Sequence, residues 1–177
     1  MNAKEKIIRL FMENKEKEIH IREISRILKI SATTASKYLN LLEKEDILKS
    51  EKKLGHLIYK PKESLQFKSK KTEYNLEKIN SSGLIDYLVK EFEPETIILF
   101  GSFAKADNIN SSDIDLLVIT PRKKDISLDQ FEKKLGHKIQ LFVHSHSEIE
   151  KIKEKNKELL NNWINGIKLY GYLELFK

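Results

Sequence analysis

Residues 98–119 read ILFGSFAKADNINSSDIDLLVI, two apolar segments that enclose a polar loop. The first segment ends at the pair Gly101-Ser102, and the second begins around Asp113 and Asp115. Apolar segments of this length predict buried strands, and the residues FAKA are expected to begin a short helix between them. This stretch therefore predicts two strands joined by a loop whose polar side chains stand next to the strand ends.

The near half of the loop has the residues that an anion-binding turn needs. Gly101 lets a phosphate approach the backbone closely, and the free N–H groups of the following helix start add partial positive charge. Ser102 can cap this helix and donate its hydroxyl to a phosphate oxygen, while Lys105, about one turn later, can neutralise a phosphate. We therefore predict that Gly101, Ser102 and Lys105 bind nucleotide.

The far half of the loop carries two carboxylates. Asp113 and Asp115 are two residues apart, so both side chains leave the same face of a strand while Ile114 enters the core. Oxygen ligands of this kind favour Mg²⁺ or Mn²⁺, which could bridge the phosphates of a nucleoside triphosphate. Asp-x-Asp alone is frequent in exposed turns, and it is the whole pattern of strands, Gly-Ser and paired aspartates that is specific.

The pattern G-S-x(10)-D-x-D between two strands resembles the minimal nucleotidyltransferases of the DNA polymerase β superfamily, and the likeness extends over roughly residues 75–175. The resemblance implies a mixed sheet flanked by helices and Mg²⁺-dependent transfer of a nucleoside monophosphate from a nucleoside triphosphate. It also implies that Gly101 and Ser102 hold the triphosphate, and that Asp113 and Asp115 are catalytic metal ligands.

Two positions depart from that family's pattern. Ala106 stands where the family usually has glycine. Active members also place a third acid on a later strand, here predicted at HKIQLFV (137–143), where alternation puts Gln140 at the acid position. An amide is no general base, and loss of general base catalysis lowers rates by about 10²–10⁴.

The first 61 residues predict a different kind of unit. Helical spacing covers residues 3–13, and a short extended piece covers 17–21. The segment REISRILKI (22–30), together with the preceding Ile21, places Ile21, Ile24, Ile27 and Leu28 on one helical face. Ser31 is the expected N-cap of a third helix that runs to about Lys44. Two strands then follow around a Leu54-Gly55 turn and end at Pro61. This order of three helices and a β-hairpin resembles the winged-helix regulators of archaea and bacteria.

Charge supports a nucleic-acid role for this unit. Residues 1–70 contain 17 Lys and Arg against 10 Asp and Glu, whereas the remainder contains 16 against 17. Such asymmetry favours double-stranded DNA as a partner, although winged helices also bind proteins and a Lys-rich solvated surface is a simpler alternative. The predicted DNA-binding residues lie on the third helix and the hairpin: Ser31, Thr33, Thr34, Ser36, Lys37, Lys49, Lys52, Lys53 and His56.

The sequence thus predicts an α+β protein in three parts: a winged helix-turn-helix over 1–66, a linker that starts a helix over 67–82, and a nucleotidyltransferase-like domain over 83–177. The chain has no cysteine, no long apolar segment and no signal-like N-terminus, which favours a cytoplasmic protein without a membrane span. His137, His144 and His146 match no strong zinc pattern.

Two functions compete on these grounds. The first is a DNA-binding transcriptional regulator whose second domain binds nucleotide and Mg²⁺ with reduced or lost turnover. The alternative is an active nucleotidyltransferase that modifies a protein or small-molecule hydroxyl, and Gln140 is the residue that divides the two. A scaffold with both sites decayed is a third hypothesis, and the sequence leaves open whether the chain forms a homodimer.

Overall fold

The computed structural model describes residues 1–53 and 55–173 of the 177-residue chain. The predicted turn residue Leu54 and the last four residues, which belong to the C-terminal part of the resemblance, lie outside the described residues. Internal contacts divide the chain into two compact units, Met1–Tyr74 and Asn75–Lys177. None of the helices in the described ranges is both long and apolar enough to cross a membrane.

The helices and strands alternate in an order that confirms the α+β class. In chain order they are α1 (Ala3–Glu13), β1 (Ile19–His20), α2 (Ile21–Leu28), α3 (Ala32–Lys44), β2 (Leu48–Lys53), β3 (His56–Pro61), α4 (Leu65–Ser82), α5 (Leu84–Phe92), β4 (Thr96–Phe100), α6 (Gly101–Ala104), β5 (Ile114–Ile119), α7 (Asp129–Leu135), β6 (Ile139–His144), α8 (His146–Lys155), α9 (Lys157–Ile164) and β7 (Ile167–Gly171).

The first unit is a winged helix-turn-helix. Helices α1 to α3 surround a core that includes Phe11, Ile24 and Leu39, and the antiparallel sheet has the strand order β1-β3-β2. Ser31 caps α3 as predicted, because its Oγ accepts the Thr34 N–H at 3.0 Å. Ile27 differs from the other residues of its predicted helical face, because it is 43 % exposed whereas Ile24 is fully buried.

Helix α4 corrects the predicted linker. Residues 67–82 were expected to be a tether that becomes helical near its end, but the helix runs over Leu65–Ser82. Phe67, Lys71, Asn75 and Ile79 are all buried and recur every four residues along one face. Two of these four are polar, so the buried face is not visible as an apolar stripe. The domain bounds 1–66 and 83–177 remain predictions.

The second unit is a four-stranded mixed sheet with helices on both faces. Its strand order is β6-β5-β4-β7, with β5 parallel to β6 and antiparallel to β4. Ile97, Leu116 and Ile139 face a core with α5 and α7, whereas Ile98 and Leu117 face a second core with α8 and α9. Burial on both faces explains why β4 and β5 are apolar except for Thr96 at the start of β4 and Asp115 at the start of β5.

Candidate nucleotide and metal site

We call Gly101, Ser102, Lys105, Asp113, Asp115 and Gln140 the aspartate site. Strand register assembles it: Phe100, the last residue of β4, pairs with Asp115 of β5, and Asp115 pairs in turn with Gln140 of β6. Since side chains alternate along each strand, Asp113, Asp115 and Gln140 share one face at the same end of the sheet.

Gly101 makes room for one of the two carboxylates. Its φ is +69°, a left-handed conformation that favours glycine. A Cβ at this position would overlap the Oδ2 atom of Asp115 and lie 3.2 Å from its Cγ. The glycine is therefore required twice, for its backbone angle and for the space that the Asp115 carboxylate fills.

The carboxylates of this pair influence each other. Burial, and secondarily the nearby charge of Asp113, raise the pKa of Asp115 above its ordinary value. Lys138, the closest lysine in sequence to Gln140, is paired with Glu132 at 2.7 Å, and its charge reaches Asp113 only as a smaller contribution. The site thus concentrates negative charge, which a divalent cation would relieve.

Gln140 occupies the place where the resemblance expects a third acid. Its Nε2 donates to Asp113 Oδ2 at 2.7 Å, so the amide lies beside the aspartates and hydrogen-bonds one of them. Among residues 1–53 and 55–173, no group of three or more His, Cys, Asp and Glu side chains is arranged to hold a metal ion. A site of two carboxylates and one amide fits a single divalent cation, held by Asp113 and Asp115.

The residues of the loop after β4 differ in part from the positions that the sequence predicts. Ser102 does not cap α6, because the helix already begins at Gly101 with Phe100 at the N-cap, and it lies instead in the first turn, half-buried. Lys105 is exposed at the C-cap of this single turn. Ala106 is buried with φ +57°, so its backbone adopts the conformation for which glycine is the usual choice.

Two residues that the sequence did not reveal hold this loop. Asn75 is 1 % exposed, and its Nδ2 donates to the Phe103 carbonyl and to Asn108 Oδ1, both at 2.9 Å. His137 packs edge-on to Phe103 and its Nδ1–H donates to the Ser112 carbonyl at 2.8 Å. The three hydrogen bonds join residues 25 to 33 positions apart, and no local pattern signals such pairs.

The three histidines near the ends of β6 each have contacts of their own. His144 lies 3.9 Å from Glu148, and His146 lies 3.6 Å from Glu95. His137 belongs to the loop contacts instead.

The predicted DNA-binding residues form two groups, which we call together the α3–hairpin face. One group lies at the start and on the outer side of α3 and consists of Ser31, Thr33, Thr34, Ser36 and Lys37. The other group lies on strands β2 and β3 and consists of Lys49, Lys52, Lys53 and His56. Thr33, Lys37, Lys49 and Lys52 are exposed. Lys53 is already paired with Glu18 at 2.7 Å, which reduces the charge that it offers to a phosphate.

Comparisons with known proteins identify a family for the part of the chain that contains the aspartate site. The family model described as Polymerase beta, Nucleotidyltransferase matches residues 82–174. No curated protein matches the chain.

Three solved structures illustrate the weaker likenesses. HlyU from Vibrio cholerae N16961 is 18 % identical with a TM-score of 0.35, covering 40 % of this chain and 76 % of its own. The adhesin competence repressor AdcR from Streptococcus pyogenes is 16 % identical with a TM-score of 0.39, covering 52 % and 66 %. A nucleotidyltransferase-type protein from Sulfolobus solfataricus is 17 % identical with a TM-score of 0.34, covering 58 % and 92 %. With TM-scores this low, the three proteins do not indicate what the chain does.

Proposed function

Because the chain belongs to the polymerase beta nucleotidyltransferase family through residues 82–174, we propose that it is a DNA-binding regulator whose family domain binds a nucleoside triphosphate with one divalent metal and turns it over slowly or not at all. The observation that carries this proposal is the hydrogen bond from Gln140 to Asp113, in the place of a third carboxylate.

Nucleotide binding is supported by what the aspartate site retains. Gly101 lets the Asp115 carboxylate lie directly against the backbone of the loop, and Ser102 and Lys105 follow within the same turn. We assign these three residues to the triphosphate, and Asp113 and Asp115 to Mg²⁺ or Mn²⁺. When bound, the cation would neutralise phosphate charge. The chain's own residues would orient the triphosphate and keep both carboxylates on one side of the sheet.

Low turnover is supported by the chemistry of the amide. A general base must accept a proton from the attacking hydroxyl, and the Gln140 amide is neutral and not basic. Its N–H also donates to Asp113, so this amide already occupies one lone pair of a proposed metal ligand. Binding can persist under these conditions while the chemical step loses about 10²–10⁴ in rate.

DNA binding is supported by the winged-helix unit and its charge. Helix α3 presents Thr33 and Lys37 to solvent, and the hairpin presents Lys49 and Lys52, for which the described residues provide no ion-pair partner. Short hydroxyl side chains let a helix enter a major groove, and lysines on a wing suit backbone phosphates. The duplex is therefore the partner that we assign to the α3–hairpin face.

Calorimetry and a transfer assay with labelled ATP test the proposal. We expect the wild-type chain to bind at least one nucleoside triphosphate with Mg²⁺, and to transfer little or no label to itself or to added protein acceptors. Asp113→Ala should abolish the metal-dependent part of binding. Rapid label transfer by the wild type that Asp113→Ala abolishes would instead establish the alternative, an active nucleotidyltransferase.

The isosteric substitution Gln140→Glu sharpens the test. It restores a carboxylate of the same length, so we expect tighter Mn²⁺ binding and a rise in label transfer if the missing acid alone limits the reaction. Unchanged Mn²⁺ affinity would show that position 140 does not contact the metal. Gln140→Leu serves as the control, because it removes the hydrogen bond to Asp113 without adding charge.

A further inference from the structure

The winged-helix unit contains a cavity that the functions above do not use. It measures about 700 Å³ and is lined by the start of α2 and the first residues of β3. Ile21 and Leu57 provide apolar wall, and the polar side chains that converge on it include Arg22 and Arg26. Pockets for small ligands typically occupy about 300–1,000 Å³ and combine apolar walls with a few polar groups.

The charge of the cavity favours an anion. Within the described residues, neither Arg22 nor Arg26 has an ion-pair partner, and both side chains are exposed. Glu23, the acidic residue of the lining, is paired with Lys17 at 2.7 Å, so its charge is offset. Arg22 and Arg26 are about one helical turn apart and line the same cavity, and a guanidinium group can contact phosphate oxygens with two hydrogen bonds.

The rings of the cavity favour a ligand with a planar body. His20 and His56 stand edge to face, with ring centroids 5.7 Å apart and an angle of 82° between their planes. Imidazole rings and guanidinium planes are surfaces on which nucleic-acid bases stack. An inorganic anion would leave these rings and the apolar wall without contacts.

We infer that this cavity binds a nucleoside monophosphate, with Arg22 and Arg26 on the phosphate and the His20–His56 pair against the base. The inference is independent of the function proposed for the aspartate site, because no residue of that site lines the cavity. His56 also belongs to the α3–hairpin face, so the ligand and a DNA duplex would share one side chain.

Calorimetry on the full chain in EDTA tests the inference with AMP, GMP, CMP and UMP as probes, and with adenosine and inorganic phosphate as comparison compounds. We expect at least one monophosphate to bind about tenfold or more tightly than either comparison compound, because only it engages both the arginines and the rings. Failure of all four monophosphates to bind would overturn the inference.

Variants locate the binding. Arg22→Gln with Arg26→Gln should weaken the monophosphate by about tenfold or more. Lys29→Gln with Lys44→Gln, which removes the same charge from exposed residues outside the cavity, should leave its affinity unchanged. Asp113→Ala with Asp115→Ala should also leave it unchanged, and loss of binding there would assign the ligand to the aspartate site and overturn the inference.

A DNA-binding assay with the same proteins tests whether the two arginines bind the phosphates of the DNA backbone instead of a free monophosphate. If Arg22→Gln with Arg26→Gln weakens duplex binding while monophosphate affinity is unchanged, the arginines contact the DNA backbone, and the inference fails. Thermal unfolding should give the wild-type midpoint for the arginine variant, because both guanidinium groups are exposed.

Discussion

In the aspartate site, neighbouring groups fix both carboxylates, whereas the lysines of the α3–hairpin face extend into solvent. Asp115 fills the space left by Gly101, and Asp113 is hydrogen-bonded by Gln140. By contrast, Lys37, Lys49 and Lys52 are exposed, and Lys53 is paired with Glu18. We therefore expect a single substitution in the aspartate site to cause a large loss of nucleotide affinity. On the α3–hairpin face, we expect each substitution to cause a smaller, salt-dependent loss of duplex affinity.

The largest effect is expected at Gly101. Gly101→Ala places a Cβ against the Asp115 carboxylate at a residue with φ +69°, so the carboxylate must move from its place in the site. We expect binding of nucleoside triphosphate with Mg²⁺ to weaken by about 100-fold or more, together with a loss of about 1–3 kcal/mol in the free energy of unfolding. Calorimetry and chemical denaturation measure the two quantities.

Gly83 offers a matched control for this substitution. Its φ is +82°, but a Cβ there would have no atom within 4 Å. Gly83→Ala should therefore cost backbone strain of about 1 kcal/mol and leave nucleotide affinity intact. Equal loss of nucleotide binding in both variants would mean that the clash with Asp115 is not what makes Gly101 necessary.

On the α3–hairpin face, charge reversal of three lysines is the next largest effect. We expect Lys37→Glu with Lys52→Glu and Lys53→Glu to weaken duplex binding by about 100-fold in low salt. The slope of affinity against salt should also flatten by about one unit for each phosphate that the variant no longer neutralises. Taken singly, Lys52→Gln should weaken binding more than Lys53→Gln, because Glu18 already offsets Lys53. Fluorescence anisotropy over a range of salt concentrations measures both.

Reversing the exposed Lys151, Lys155 and Lys157 gives the same change in net charge outside the winged-helix unit. This control should leave duplex affinity within about twofold of the wild type if local contacts carry the binding. If both triple variants lose similar duplex affinity, the net charge of the protein and not local contacts of the α3–hairpin face would account for DNA binding.

The sequence predicted the parts of both regions that depend on local pattern. The family resemblance placed a later strand beside the aspartates, alternation along that strand put Gln140 at the acid position, and the register of Asp115 with Gln140 agrees with both. The Ser31 cap and the bounds of α1 and α3 also follow from neighbours in sequence. Apolar spacing alone could not separate the exposed Ile27 from its buried neighbour Ile24, since α2 is only eight residues long.

What the sequence could not show are contacts between distant residues. The buried face of α4 includes Lys71, whose Nζ donates to the Met12 carbonyl at 2.7 Å, and Asn75, which holds the nucleotide loop. Polar residues at these positions look like a solvated segment until their partners, 59 and 28 residues away, are known. The predicted cap at Ser102 failed for a local reason, since the helix starts directly at Gly101.

Asn75 tests whether fixing the loop matters for the aspartate site. Asn75→Ala leaves the Phe103 carbonyl and Asn108 Oδ1 without their donor in a buried place. We expect a loss of about 1–3 kcal/mol in the free energy of unfolding. Nucleotide affinity should fall as well, because the loop that carries Ser102 and Lys105 loses an anchor. Asn80→Ala, on an exposed side of the same helix, should change neither quantity.

The smallest effect is expected for the thermal stability of an Asp115 variant. Asp115 is a proposed metal ligand, but its charge destabilises the fold without a cation. Burial and the charge of Asp113 raise the pKa of this carboxyl in the folded chain. A raised folded-state pKa gives stability that is present below the unfolded-state value and is lost as the pH rises through the folded-state value. Asp115→Asn should therefore raise the unfolding midpoint by about 1–3 °C at neutral pH without metal, and by less in acid.

Thermal unfolding of both proteins between pH 4 and 7.5, with and without Mg²⁺, measures this difference. Mg²⁺ should raise the unfolding midpoint of the wild type near neutral pH, because the cation would offset the repulsion between the two carboxylates. Its effect on Asp115→Asn should be weaker, because the substitution has already removed one of the two charges. Asp125→Asn, at an exposed aspartate, should show no pH-dependent gain. A variant at Asp115 that is less stable than the wild type at neutral pH would show that this carboxylate is stabilised by its surroundings, and that the pair does not require a cation.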